Sequence, residues 1–248
     1  MRRPLKMLTL ALGLFMGALC PAWAQAPQPT PLTREQVEQI VRDYLLRNPE
    51  VILEAVQSLE DKRRAQAETA QRAAVSAKRD AILKDPDAPV AGNPNGDVTL
   101  VEFFDYRCPY CKRVAEPLAE LLKADRNLRF VYKELPILGP ESVVASRAAL
   151  AARAQGKYQP MHDALMRARG TLDEQAVFRI AGEVGLDVGR LKADMARPEI
   201  TAMLDRNLKL AKDLGLNGTP AFVIGDRVIP GAVDLDTLKQ LVADARAR

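Results

Sequence analysis

Apolar residues along this chain recur at helical intervals first and then in short continuous runs, and that change divides the sequence. Val37, Ile40, Val41, Tyr44 and Leu45 follow one helical face. Thr33 and Gln36 stand at capping-box spacing, which predicts a helix start at Thr33. Asn48-Pro49 breaks the run and restarts it, with Asn48 expected as N-cap and Pro49 at the first helical position. Val51, Ile52, Leu53, Val56 and Leu59 continue the apolar face. After Leu59 the stretch "EDKRRAQAETAQRAAVSAKRDAILKD" is charged and Ala-rich, with no Gly or Pro before Pro86. It favours helix by intrinsic propensity but offers no wide apolar stripe to bury. A helix from Pro49 to about Leu83 would span about 50 Å at ~1.5 Å per residue. Residues 33–85 therefore read as a helical arm. It could fold back on the main domain. The contrast between its apolar and polar halves favours a stalk, with Val37 to Leu59 paired against other copies of the chain.

Residues 86–97, including "PDAPVAGNPNG", are turn-rich and read as a linker. Val98 to Phe104 is an apolar strand candidate, "CPYCKRVAEPLAELLKAD" a helix, and Leu128 to Lys133 a second strand. Strand, helix and strand in this order imply a right-handed crossover and a parallel pair. Residues 140–214 read as several helices punctuated by Gly156, Gly170, Gly185 and Pro198, with Thr171 and Glu174 as a second capping box and Gly215 as a stop. "TPAFVIGDRVIPGA" gives two short strands turning at Gly225-Asp226, and Asp234 to Arg248 a last helix. The expected class is α/β: residues 98–248 form one domain, βαβ then a helical insertion then ββα, preceded by the helical stalk.

The first residues bear on location. Arg2, Arg3 and Lys6 precede an apolar run, Met7 to Leu19, too short to span a bilayer, and Ala22-Trp23-Ala24 has the form of a cleavage site. Residues 1–24 read as a signal peptide, followed by a flexible Pro- and Gln-rich segment at 25–32. Cys20 leaves with the leader, and Leu19 before it argues against lipidation. No later segment is apolar enough to span a membrane. The expected location is an oxidising, exported compartment, a bacterial periplasm. The formal charge is +4, but loss of Arg2, Arg3 and Lys6 leaves +1. No basic patch interleaved with aromatics stands out, so nucleic acid is not an expected partner.

Chemistry concentrates in "RCPYCKR". Cys108 and Cys111 are the two cysteines left after cleavage. They could be a redox pair, half a metal site or a structural bond. A bond across two residues closes a tiny loop and stabilises little. A structural zinc site takes four ligands, and the chain offers Cys108, Cys111 and the lone His162. His162, in "QPMHDALM", reads as a surface or packing histidine, and its Met neighbours as core; no metal or other cofactor is expected. Cys108 falls where a strand ends and a helix begins, with Pro109 suited to the first turn. The helix dipole and open amides there favour a thiolate. Cys111, one turn on, is near enough to attack a mixed disulfide at Cys108. Glu102 interrupts the apolar strand "LVEFF", where a carboxylate is costly unless paired, protonated or hydrated. It is either a proton acceptor for the resolving thiol or an edge-facing side chain without a role. Gly218-Thr219-Pro220, directly before a strand, is a candidate cis-proline loop.

Assembled, residues from about Gly92 onward resemble the DsbA-like branch of the thioredoxin superfamily. "VEFFDYRCPYC" is similar to that family's active-site stretch and "GTPAF" to its cis-proline loop. The resemblance implies Cys108 as nucleophile, Cys111 as resolving thiol, Glu102 as buried acid, and Pro109, Tyr110, Thr219 and Pro220 as substrate-facing. "TREQVEQIVRDYLLRNPEVILEA" is similar to the extension of suppressor of copper sensitivity protein C and related proteins, some of them trimers. The implied activity is periplasmic disulfide isomerisation or reduction on exported client proteins, by a homo-oligomer, a trimer for preference, kept reduced by a membrane thiol reductase of the DsbD or ScsB type. Pro109-Tyr110 and Thr219 depart from the pattern of the strong oxidases, which usually carry His in the dipeptide and Val before the proline. A dithiol oxidase remains the alternative, and copper binding by the same thiols a further one.

Overall fold

The computed structural model describes residues 31–247; the expected signal peptide and residues 25–30 of the flexible segment lie outside them. The chain divides into two units, the first ending at Ser58 and the second beginning at Leu59.

The first unit holds α1 (Arg34–Arg47) and the start of α2 (Glu50–Ala77). Thr33 caps α1 as its spacing with Gln36 predicts. Its hydroxyl accepts from the Gln36 amide at 3.3 Å, and its own amide donates to the Gln36 side chain at 3.0 Å. The cap expected at Asn48 is not formed. The Asn48 side chain and amide both donate back to the Tyr44 carbonyl at 2.8 Å. Asn48 thus satisfies an open carbonyl at the end of α1, and Pro49 stands just before the first helical residue of α2. No residue of α1 is buried. Val37, Ile40, Val41, Tyr44, Ile52 and Val56 all lie exposed, an apolar stripe without a partner in this unit.

The second unit continues with the rest of α2, α3 (Arg79–Leu83), β1 (Val90–Gly92), β2 (Val98–Phe104), α4 (Pro109–Ala124) and β3 (Leu128–Glu134). Then come α5 (Pro140–Ala152), α6 (Tyr158–Arg167), α7 (Glu174–Glu183), α8 (Val188–Met195) and α9 (Pro198–Asp213). It closes with β4 (Ala221–Ile224), β5 (Arg227–Pro230) and α10 (Leu235–Arg246). Among the described residues the strands form one sheet in the order β1-β3-β2-β4-β5. Only β2 and β3 run parallel; the register sets Glu102 beside Tyr132 on β3 and Phe222 on β4. This is the α/β arrangement with inserted helices that the sequence implies.

The pleat sends alternate residues to opposite faces. Leu100, Glu102 and Phe104 share a face with Phe130, Tyr132 and Phe222; the hydrophobic ones among them pack with α4, α10 and the inserted helices. Val101, Phe103, Val131 and Val223 pack on the other face with Leu210 and Leu214. Phe103, Phe104 and Phe222 are fully buried, each worth about 1.5–3 kcal/mol relative to exposure.

Three expectations change here. The Ala-rich stretch after Leu59 does pack: Val75 and Ile82 are 3% and 1% exposed and join the second face of the sheet. Two large side chains suffice because Ala74 beside them adds contact without bulk. The expected linker at 86–97 contains β1, paired antiparallel with β3. Three residues are too few for alternation to declare a strand. The capping box expected at Thr171 and Glu174 is replaced by Asp173, whose carboxylate accepts from the Ala176 amide at 2.8 Å. A carboxylate already at the N-cap position displaces a hydroxyl two residues earlier.

Lys133 on β3 is 1% exposed, and its ammonium lies 2.5 Å from the Asp85 carboxylate, ahead of β1. A buried cation is costly without its partner. We expect Asp85→Asn to lower unfolding free energy by about 3 kcal/mol, and a Lys133→Met change added to it to recover most of that loss, both read by urea unfolding at neutral pH.

Candidate active site

The site lies where β2 gives way to α4. Cys108 is the N-cap of α4, in extended backbone conformation, and Pro109 occupies the first turn. The Cys108 amide donates to the Asp105 carbonyl at 3.0 Å, and the Lys112 amide to the Cys108 carbonyl at 3.1 Å. The Cys108 side chain makes no cap bond of its own. Its thiol instead donates to the Thr219 carbonyl at 3.2 Å. The Thr219–Pro220 peptide is cis. A loop 111 residues away in sequence thus meets the first cysteine. Tyr110, between the cysteines, is 52% exposed, with the Arg113 guanidinium 4.8 Å from its ring centre.

The two thiols are free, and Cys108 is 3% and Cys111 0% exposed. Burial pushes the Cys111 thiol far above its ordinary range, and the nearby Glu102 carboxylate adds to the effect. Glu102 is itself 2% exposed, and its Oε1 has no hydrogen-bond partner. Burial holds its carboxyl well above the usual carboxylate range, with the Cys108 sulfur as a second cause. Glu102 and Cys111 share a cavity of about 490 Å³ with Tyr132, His162 and Met166, which Lys123 and Arg126 also line. That cavity gives the buried acid and thiol room for water. Glu102 thus faces the interior from a central strand, between β3 and β4, rather than an edge of the sheet.

His162 is buried rather than on the surface. Its Nδ1 is 3.1 Å from the Tyr106 hydroxyl, and it packs against Phe104, Tyr132 and Tyr158. Burial lowers its pKa to about 3, with Arg167 adding to the shift, so it is neutral at ordinary pH. Among the described residues no group of three or more His, Cys, Asp or Glu side chains is placed to hold a metal ion.

Asp105 is the residue that sequence reasoning missed. Its Oδ1 accepts from the Arg107 amide and the Ser142 hydroxyl, both at 2.8 Å. Its Oδ2 accepts from the Ile137 and Leu138 amides at 2.9 and 3.0 Å. The bond to Arg107, two residues on, is a local Asx turn that the sequence could have suggested. The other partners lie over thirty residues away. They bring exposed Ile137 and Leu138 beside the thiol-bearing turn, and Arg107 donates to the Leu138 carbonyl and to Glu141. Gly139 is required there: its φ is 121°, and a Cβ would fall 2.7 Å from the Arg107 guanidinium.

Residues 99–243 match the family model of the DSBA-like thioredoxin domain. Residues 34–66 match that of the copper resistance protein ScsC N-terminal domain. Among solved structures, a thioredoxin-like oxidoreductase from Silicibacter pomeroyi DSS-3 is 53% identical with a TM-score of 0.68, covering 68% of this chain and 98% of that one. A linker-deletion variant of Proteus mirabilis ScsC is 30% identical, also with a TM-score of 0.68, covering 89% and 99%. The curated Na(+)/H(+) antiporter NhaA 1 of Salinispora arenicola is 32% identical over 166 residues, or 66% of this chain. The chain spans about a quarter of the length of the curated relatives it matches. Among the described residues no helix is long and apolar enough to cross a membrane.

Glu134, at the end of β3, is fully buried, accepts from the Tyr158 hydroxyl at 2.5 Å, and has its carboxyl pushed up to about 7 by burial. The folded chain keeps this proton to about pH 7, whereas the unfolded value is 4.5. Its contribution is therefore complete below pH 4.5 and is lost as pH rises through 7. Glu134→Gln should remove about 3 kcal/mol of that pH-dependent loss, seen as a flatter plot of unfolding free energy between pH 4.5 and 8.

Proposed function

The chain belongs to the family of DSBA-like thioredoxin domains, and from that premise we propose that it is a periplasmic thiol:disulfide oxidoreductase working chiefly as a disulfide isomerase or reductase. The observation that carries this reading is the inequality of the two thiols: Cys108 is in contact with the Thr219 loop, and Cys111 is held protonated behind it beside Glu102.

In the proposed cycle the Cys108 thiolate attacks one sulfur of a client disulfide. A Cys108–client bond forms, and the other client sulfur leaves as a thiolate with the electron pair. In isomerisation that freed thiolate attacks a different client disulfide, and a client thiolate finally displaces Cys108, with no net change in oxidation. Bonding of Cys108 to the client removes its charge, the second cause after burial of Glu102's raised pKa. In reduction Cys111 then gives its proton to Glu102 in its ionised form, directly or through cavity water, and attacks the Cys108 sulfur. The client leaves with both sulfurs reduced, and Cys108 and Cys111 are left joined. Two electrons from a membrane thiol reductase return the pair to the dithiol state. A resolving thiol held so firmly protonated resolves slowly, which leaves the mixed disulfide time to reshuffle. Pro109, Tyr110, Thr219 and Pro220 present the client chain to Cys108.

The apolar stripe on α1 and the start of α2 supports assembly of several copies, a trimer for preference, with residues 33–85 as the oligomerisation arm. Exposed side chains such as Ile40 (53%) and Ile52 (50%) are unusual on a surface left in water.

The reduced protein should recover activity from scrambled ribonuclease, and Cys108→Ser should abolish that recovery. Oxidation of reduced ribonuclease without unscrambling would instead favour the oxidase alternative. Glu102→Gln should slow release of the Cys108 mixed disulfide on the order of a hundredfold while sparing its formation. Solution mass should be a multiple of the chain mass and fall to that of one chain in the Ile40→Glu, Ile52→Glu double variant; a single-chain mass for the parent protein would end the assembly proposal.

A further inference from the structure

A second, smaller cavity of about 260 Å³ is lined by Tyr106, Arg107, Lys112, Gly170, Thr171 and Leu172. Its lining holds two cations and no carboxylate. Arg107 directly precedes Cys108 and Lys112 directly follows Cys111, so two of the lining residues flank the thiol pair in sequence. Thr171 is exposed, and its hydroxyl has no hydrogen-bond partner among the described residues; neither the Gly170 nor the Thr171 amide donates to a protein acceptor there. These are donors of the kind that hold a carboxylate, set beside positive charge.

The surrounding acids are already engaged. Asp105 accepts four hydrogen bonds, Asp173 caps α7 through the Ala176 amide, and Glu141 pairs with Arg107 at 3.0 Å. The Glu141 pair occupies one terminal nitrogen of Arg107, and the guanidinium carries five donors. Lys112 is fixed at the end of α6 by bonds to the Leu165 and Ala168 carbonyls, which tie the start of the 168–172 loop to the first turn of α4. On that loop and the end of α6, exposed Arg167 and Arg169 form no ion pair among the described residues.

We propose that this cavity is a carboxylate subsite, which takes an Asp or Glu side chain of a client segment within about two residues of the cysteine being attacked. The inference rests on the thiol-exchange reading and names a substrate preference for it. A carboxylate in the cavity would accept from Arg107 and Thr171, and Arg167 and Arg169 would draw acidic chain toward it.

The test uses the reduced full chain and short peptides whose single cysteine is joined to 2-thiopyridine. The Cys108 thiolate bonds to the peptide sulfur, the mixed S–S bond breaks, and thiopyridone departs with the electron pair and is read by absorbance. Glu-flanked peptide should react about tenfold faster than the Gln-flanked one at low salt, as charge-assisted hydrogen bonds to one carboxylate imply. The advantage should shrink at high salt. Arg107→Gln and Thr171→Ala should each bring the Glu-to-Gln ratio toward one. Because the readout is a ratio, a general loss of activity in either variant does not mimic the effect. Equal rates for the two peptides, or a ratio unchanged in both variants, would overturn the subsite alone; reaction with neither peptide would overturn the exchange reading with it.

Discussion

The Asp105 carboxylate ties together the pieces of the site. It accepts from the turn that carries Cys108, from the two amides ahead of α5, and from a hydroxyl in the first turn of α5. A buried carboxylate is costly when its lone pairs are unmet, and four donors at 2.8–3.0 Å meet them. The same residue's carbonyl accepts the Cys108 amide. The start of α4 is thereby fixed relative to the sheet and to the 136–139 loop at once. The position of Cys108, the exposure of Ile137 and Leu138, and the direction of Arg107 all depend on that one side chain.

The interior behind the thiols is arranged differently. Glu102 has an unmet oxygen, and Glu134 another, on the face of the sheet where Tyr106, Tyr132, Tyr158 and His162 gather. Burial raises both carboxyls, so each tends to hold a proton where an exposed acid would not. Their positions separate their consequences. Glu102 shares a cavity with Cys111, which is why the proposed cycle passes that thiol's proton to it. Glu134 is closed in by Tyr158 and by Asn207, which donates to its carbonyl, so its protonation bears on stability.

Much of this was legible in the sequence because local signals and the final contacts coincided. Val98 to Phe104 reads as a strand and is one, and Thr33 with Gln36 caps α1 as written. The "CPYC" turn at a strand end is where Cys108 becomes a helix cap. What was not legible depends on partners distant in the chain. Nothing near Asp105 announces Ile137, Leu138 or Ser142. The short β1 has no alternation to read and exists because β3 offers an edge, with Asp85 meeting Lys133 just ahead of it. Asn48 and Thr171 failed for a related reason: a cap motif names a competent side chain, and a nearer acceptor or a better carboxylate decides which helix end receives it.

Charge shows the same gap between composition and placement. A sequence that counts to near neutrality once the expected leader is set aside gives no reason to expect a sign preference in its clients. Screening at physiological salt confines each surface charge to about 8 Å, so only groups within that reach of Cys108 act on an approaching disulfide. In sequence Arg107, Lys112 and Arg113 crowd the cysteines, but Glu102 and Asp105 stand as close and would seem to cancel them. The fold removes that cancellation. Glu102 and Asp105 turn inward, the one held toward its neutral form and the other spent on four donors, while Arg107 and Arg113 stay at the surface. Lys112 also ties the end of α6, more than fifty residues away in sequence, to the first turn of α4 through the Leu165 and Ala168 carbonyls. A locally balanced composition is thereby sorted by burial, with Glu102 and Asp105 inside and Arg107 and Arg113 at the surface around the cysteine-bearing turn, and the proposed preference for a client carboxylate rests on that sorting.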